Sequence, residues 1–278
     1  MDHLKTGELA TFSAAVARAS ALPSSCVPDD AVLISFAGGP QAATVWPHQY
    51  ERVARLRCLM RRAVTLCFEN TTDAFGTCVA AARRLPTNYF KVCWIKWHLL
   101  HAALLTARTA LYVDADCILL SNPFVAAAPA RGLLYQFEGP GANPLNSGQL
   151  LSSDAAAVRE VLRAEPADAD RSTRLDQEIA HDALARAGVP AARLPPAFAG
   201  NCWWGPEIVP WCDLVTFHAH CTGTNQEKLE RIRLVLRETR HCPGGGATSS
   251  ASGRAAGRSL QRSTAAWRTR GSPPSIHT

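Results

Sequence analysis

The sequence predicts an α/β fold: a mostly parallel sheet flanked by helices, in a single domain. Three observations carry that expectation. Short, largely apolar runs recur at Ala31–Phe36, Ala63–Phe68 and Ala110–Val113, each stopped by turn residues or acids, which is how strands buried on both faces read. Segments with helical spacing lie between them, the alternation that builds a parallel sheet with crossover helices. At 278 residues and 47% hydrophobic composition, the chain is long enough to bury a full core.

Residues 1–29 are rich in Ala, Ser and Pro and read as a helical or loose lead-in. The first run, Ala31–Phe36, stops at Gly38-Gly39-Pro40, a buried strand ending in a loop. Tyr50–Arg62 has helical spacing through Val53, Leu56 and Leu59, and Ala63–Phe68 is the second strand. Tyr89–Arg108 is a longer helical segment that runs into the third strand, Ala110–Val113, followed at once by Asp114-Ala-Asp116. Ile118–Leu120 continues the apolar character until Ser121-Asn-Pro123, and further strands are expected at Leu133–Phe137, Gln149–Leu151 and Leu214–Phe217. Helices follow at about Asp154–Ala164, Thr173–Ala187 and Gln226–Thr239, with Asp or Thr near the first two starts. The domain is bounded at 30–242, and the Gly/Ser/Arg-rich stretch 243–278 is expected to be disordered.

Charge excludes one class of function. Of the net +6, nearly all sits on Arg254, Arg258, Arg262, Arg268 and Arg270, beyond Pro243, where there is no acid. A near-neutral body offers no basic stripe for nucleic acid. No stretch reaches the ~18 apolar residues of a membrane span, and the N-terminus reads as neither signal peptide nor anchor. None of the ten cysteines falls in a C-x-x-C pair. Cys67, Cys93 and Cys117 lie in apolar runs and read as buried free thiols, which leaves the redox compartment open.

Asp114-Ala-Asp116 is the central chemical signal. It follows an apolar strand, and ligands of open parallel sheets bind outside the strands' carboxyl ends. Two carboxylates there are hard oxygen ligands for Mn²⁺ or Mg²⁺, and such an ion can hold a diphosphate and take up charge as it leaves. Context decides this reading, because Asp168-Ala-Asp170 repeats the tripeptide with no strand before it.

Further along, Lys96-Trp-His-Leu-Leu, then Leu111-Tyr-Val-Asp-Ala-Asp-Cys-Ile-Leu-Leu-Ser-Asn-Pro123, then Leu145-Asn-Ser-Gly148, Leu175-Asp-Gln177 and Phe217-His-Ala-His-Cys-Thr-Gly223 with Lys228 occur in order. Together they resemble retaining glycosyltransferases of the GT-A, Rossmann-like fold, glycogenin-like enzymes and nucleotide-diphospho-sugar transferases among them. The resemblance spans roughly residues 31–236. It implies that Asp114 and Asp116 ligate a metal, with Asp114 also near the donor ribose beside Ala115. A His from the closing segment would complete the ligands: His220 fits the H-x-x-G spacing and is slightly preferred, while His218 fits an H-A-N form, and the choice stays open. Lys96 (with Lys91 as fallback) and Lys228 would neutralise diphosphate, with Gly223 in the same closing segment, and Phe36, Ala37 and Gly38 would border the base. Asn146, Ser147 and Gly148 would shape the sugar pocket, with Asp176 and Gln177 beneath the transferring sugar. A UDP-sugar donor, a glycan or glycoprotein acceptor and a Golgi-lumen setting are likewise implied, although the absent signal leaves a cytosolic enzyme or a truncated chain open. No Lys-Pro-Trp follows Gly223, which argues against glycogenin itself.

Each motif also has a plainer reading. Asn146-Ser-Gly148 is a common turn, Asp176 an acid favoured at a helix start, and Lys228 a solvated residue on a charged helix. Trp203-Trp204 fits an acceptor groove or core packing equally. A haloacid-dehalogenase-type phosphatase also carries strand-D-x-D, but Ile118 stands where its Thr or Val belongs and no later acidic pair follows. A zinc module from His218, His220, Cys221, His241 and Cys242 has poor ligand spacing. A non-catalytic GT-A relative that binds nucleotide or glycan is the remaining alternative.

Overall fold

The structure, a computed structural model, describes residue 4 and residues 6–38, 56–69, 76–82, 84–127, 132–139, 144–168, 172–202 and 204–242. All of these lie in one compact unit, Met1–Gly246. Helix α1 (Thr6–Ala21) buries Phe12 and Val16 completely, so the lead-in packs as part of the body. Strand β1 (Ala31–Ala37), a helical turn at Arg57–Met60, β2 (Ala63–Cys67) and β3 (Thr77–Ala80) follow. Next come α2 (Tyr89–Leu104), β4 (Thr109–Val113), β5 (Cys117–Leu119), a turn of helix at Pro123–Ala126, β6 (Leu133–Phe137) and β7 (Leu145–Ser152). The remainder is α3 (Ala155–Arg163), α4 (Asp176–Arg186), β8 (Ala191–Arg193), β9 (Phe198–Gly200), β10 (Thr216–His218) and α5 (Asn225–Glu238). Of the helix expected over Tyr50–Arg62, the described residues hold an α-helical turn at Arg57–Met60, and residues 50–55 fall outside the described ones. The 243–278 tail also lies outside them.

Helix starts follow local chemistry. Asn88 Oδ1 accepts from the Phe90 and Lys91 amides, and Asp154 from those of Ala156 and Ala157. Thr224 and Glu227 form a reciprocal capping box at α5. Each such cap is worth about 1 kcal/mol.

The seven-stranded sheet runs β3-β2-β1-β4-β7-β6-β8. Its pairings are parallel except that β7 runs antiparallel to both β4 and β6. Every residue of β1 is buried: Val32, Ile34 and Phe36 enter one core with α1 and α2, while Ala31, Leu33 and Ala37 enter another on the opposite face. Two-sided burial explains the continuous apolar run. A second, three-stranded sheet has the order β5-β10-β9 and packs with Trp204 and with Ile232 and Val235 of α5.

Four disulfides, Cys26–Cys58, Cys67–Cys78, Cys202–Cys221 and Cys212–Cys242, use eight of the ten cysteines, leaving Cys93 and Cys117 free and buried. The free-thiol reading of Cys67 is therefore corrected. Its apolar run hid a partner, because β3 pairs with β2 in parallel and sets Cys78 two residues from Ala80, the residue in register with Cys67.

Candidate active site

Strand order turns back between β1 and β4, the switch point where open α/β sheets bind ligands. Asp114 leaves β4 at that edge. The antiparallel partner β7 begins where β4 ends, with Val113 opposite Gln149 and the Asp114 amide donating to the Gly148 carbonyl at 2.8 Å. Sheet register thus carries Asn146, Ser147 and Gly148 to the Asp-Ala-Asp turn. The small sheet brings the closing segment to the same place, because β10 pairs with β5 so that His218 faces Cys117.

His218 Nε2 lies 3.1 Å from Asp116 Oδ1 and 3.8 Å from Asp114 Oδ2. Its Nδ1 is 2.9 Å from Gln136 Oε1, an oxygen that can only accept, so Nδ1 carries a proton. In the neutral ring Nε2 then presents a lone pair to two carboxylates, and a proton or a cation must lie between them. Two carboxylates and an imidazole are a donor set suited to Mn²⁺. Cys117 is near enough to join Asp116 and His218, but its Sγ donates to the Gly148 carbonyl and burial, with both Asp charges, keeps the thiol protonated.

His220, the slightly preferred ligand by spacing, does not lie beside the two aspartates. His220 stacks on His218 at 4.3 Å between ring centroids and directs Nε2 to Glu138 instead. Burial and the neighbouring His218 push its pKa down to about 3, so it stays neutral.

Two lysines serve the acids. Lys96, on α2, is buried with Nζ 3.3 Å from Asp114 Oδ2 and 3.1 Å from Ser147 Oγ. Burial disfavours its charge, yet Asp114 and Asp176 more than offset that and hold it protonated. Lys228 reaches from the first turns of α5 to Asp116 Oδ2, with its side chain 15% exposed, so it is no solvated face residue. Burial would raise the Asp116 carboxyl, but His218 and Lys228 hold it well below the usual range.

Asp176 is 3% exposed and accepts from Trp97 Nε1 at 2.8 Å, which makes it more than a helix-start acid. Gln177 and Asn146 both donate to Glu138 Oε2, each at 3.0 Å. Glu138 and Gln136, which stand in no motif of the sequence, sit on the run Gln136-Phe-Glu138, where alternation puts both on one face. Tyr112, fully buried on β4, donates its hydroxyl to Asp114 Oδ1 at 2.5 Å. Phe36 stacks on Tyr112, Ala37 is fully buried, and Gly38 crosses Phe68 where a Cβ would come within 2.8 Å. Ala115 packs at the edge of the second core, and the Gly223 amide donates to Glu227 in the α5 cap. Trp204 is buried against Trp211 and Phe217, the packing reading, while Trp203 lies outside the described residues. Asp168 sits on an exposed turn after α3.

No family model and no curated protein sequence matches the chain. Among solved structures it is similar to a glycosyltransferase involved in the glycosylation of the major capsid of PBCV-1. That likeness has a TM-score of 0.50 at 14% identity, over 73% of this chain and 98% of the other. In fold, the chain is GT-A-like, the arrangement that its ordered motifs led us to expect.

Proposed function

We propose that the protein is a divalent-metal-dependent glycosyltransferase. It would move a sugar from a nucleotide-diphospho-sugar, a UDP-sugar, to a glycan or protein acceptor, with retention of configuration. One observation carries this reading: Asp114, Asp116, His218, Lys96 and Lys228 converge at the switch point of a GT-A-like sheet. Mn²⁺ or Mg²⁺ would be held by Asp114, Asp116 and His218. A cation there supplies positive charge to the leaving diphosphate. Lys228, now paired with Asp116, is free to turn to a phosphate once another cation takes its place. Lys96 adds a second fixed positive charge beside Ser147.

Asn146, Gln177 and Glu138 form the polar wall for the donor sugar. Glu138 is the more open carboxylate, with 24% of its side chain exposed, and is suited to meet positive charge developing on the sugar ring. Asp176, tied to Trp97, is a positioning residue that holds Lys96 charged. Four disulfides fit an oxidising compartment, in keeping with the lumenal setting of the resembling enzymes.

A thermal-shift screen of UDP, GDP and their sugar conjugates, with Mn²⁺ or with chelator, tests the proposal. Ligand at a hundredfold excess over Kd stabilises by about 2.7 kcal/mol. A Mn²⁺-dependent shift with UDP is expected, and Asp116→Asn should abolish it while leaving the circular dichroism unchanged. Folded protein that responds to no nucleotide would sink the proposal in favour of a non-catalytic relative.

A further inference from the structure

The two stacked histidines are arranged alike, and only one of them serves the Asp-Ala-Asp site. His220 Nδ1 lies 3.1 Å from the His218 carbonyl oxygen, an acceptor, so the proton sits on Nδ1 and Nε2 offers a lone pair. That Nε2 is buried, has no hydrogen-bond partner and faces Glu138 Oε1 at 3.7 Å. An imidazole lone pair against a carboxylate is two acceptors face to face, an arrangement that a cation resolves. Cys202 Sγ and Cys221 Sγ lie 3.9 and 3.7 Å from the same carboxylate oxygen, and all four donor atoms lie within 4.8 Å of one another.

We propose that Glu138, Cys202, His220 and Cys221 form a zinc(II) site when the Cys202–Cys221 disulfide is reduced. A tetrahedral zinc ion with bonds of about 2.0–2.3 Å sets its ligand atoms roughly 3.3–3.8 Å apart. The three distances from Glu138 Oε1, 3.7, 3.9 and 3.7 Å, exceed the edges expected there by only about 0.2–0.4 Å. The sulfur pair, joined by the disulfide, would have to separate to reach that spacing. Two thiolates, an imidazole and a carboxylate are a donor set that zinc accepts. The His218 carbonyl that fixes the His220 tautomer is the outer partner such ligands ordinarily have.

Access favours the switch. Of the four disulfides, this is the one with both cysteines exposed, and exposed disulfides are the labile ones. A dithiol reductant would supply two electrons: its thiolate attacks one sulfur, the S–S bond breaks, and the reductant leaves as its own disulfide. Zinc binding then releases the two thiol protons to solvent. This proposal does not depend on the transferase reading.

The test uses the full chain carrying Asp116→Asn, so that the first site is disabled. Anaerobic protein, untreated or reduced with a dithiol, is titrated with Co²⁺ alone, and zinc content is measured in parallel after exposure to Zn²⁺. The expected result is a thiolate-to-cobalt charge-transfer band with strong tetrahedral d–d bands in the reduced protein, and neither in the untreated protein. Cys202→Ser/Cys221→Ser should abolish the bands, and Cys212→Ser/Cys242→Ser should retain them. Reduced, folded protein without thiolate bands, or bands that survive loss of Cys202 and Cys221, would overturn the proposal. The comparison of reduced with untreated protein stands even if a cysteine variant does not fold.

Discussion

A methyl group at position 148 would lie 2.1 Å from His218 Cε1 and 2.9 Å from Asp114 Oδ2, so the glycine of the Asn-Ser-Gly turn is there because the histidine ring packs on it. Gly148→Ala must push His218 off the carboxylates. Overpacking of this kind costs about 1–3 kcal/mol, and the expected outcome is a folded protein whose Mn²⁺-dependent response to UDP is lost, read by thermal shift beside circular dichroism. Lys96 makes a different demand. Its ammonium is buried against Asp114 and close to Asp176, so Lys96→Met leaves two carboxylates without their compensating charge. Breaking a buried pair in this way costs about 3–5 kcal/mol. Adding Asp114→Asn should restore part of the loss, and denaturant titration of the four-member mutant cycle measures how much.

At the scale of the element, α2 carries both Lys96 and the free Cys93, whose thiol is pushed up to about 12 by burial and then by the charge of Asp176. The folded value lies above the unfolded one of 9.0, so the native state keeps the proton longer. Its contribution to stability is present below pH 9 and is lost as pH rises toward 12, at most about 4 kcal/mol. Urea midpoints of wild type should therefore fall more steeply between pH 8 and 10.5 than those of Cys93→Ala, and equal slopes would refute the assignment. Legibility in the sequence follows the same burial. β1, β2 and β4 announced themselves as apolar runs because both faces are covered. β3 buries one residue of four and β8 none, and such short, exposed strands leave no periodic trace. Within the site, Asp114, Lys96 and Asn146 were readable because they stand in ordered motifs. Gln136, Glu138 and the placement of His218, rather than His220, beside the two aspartates were not, since they depend on the register of β6 on β7 and of β10 on β5, which no local pattern encodes.

The disulfides bear on the molecule as a whole. Cys26–Cys58 and Cys67–Cys78 tie the segments around β1, β2 and β3, while Cys202–Cys221 and Cys212–Cys242 tie the loops of the small sheet that presents His218. Cys212–Cys242 joins the turn before β10 to the end of α5 across 30 residues, and neither cysteine touches the Asp-Ala-Asp site. Closing a loop of that length removes unfolded-state entropy worth about 3–4 kcal/mol. In a domain of this size each kcal/mol moves Tm by about 2–4 °C. Cys212→Ser/Cys242→Ser is therefore expected to melt roughly 5–15 °C lower, while its Mn²⁺-dependent UDP shift keeps the wild-type size. That pairing separates covalent support of the fold from assembly of the site. Loss of the ligand shift together with the lowered Tm would mean that His218 is held in place through α5 and its link, and that the small sheet is not rigid without it.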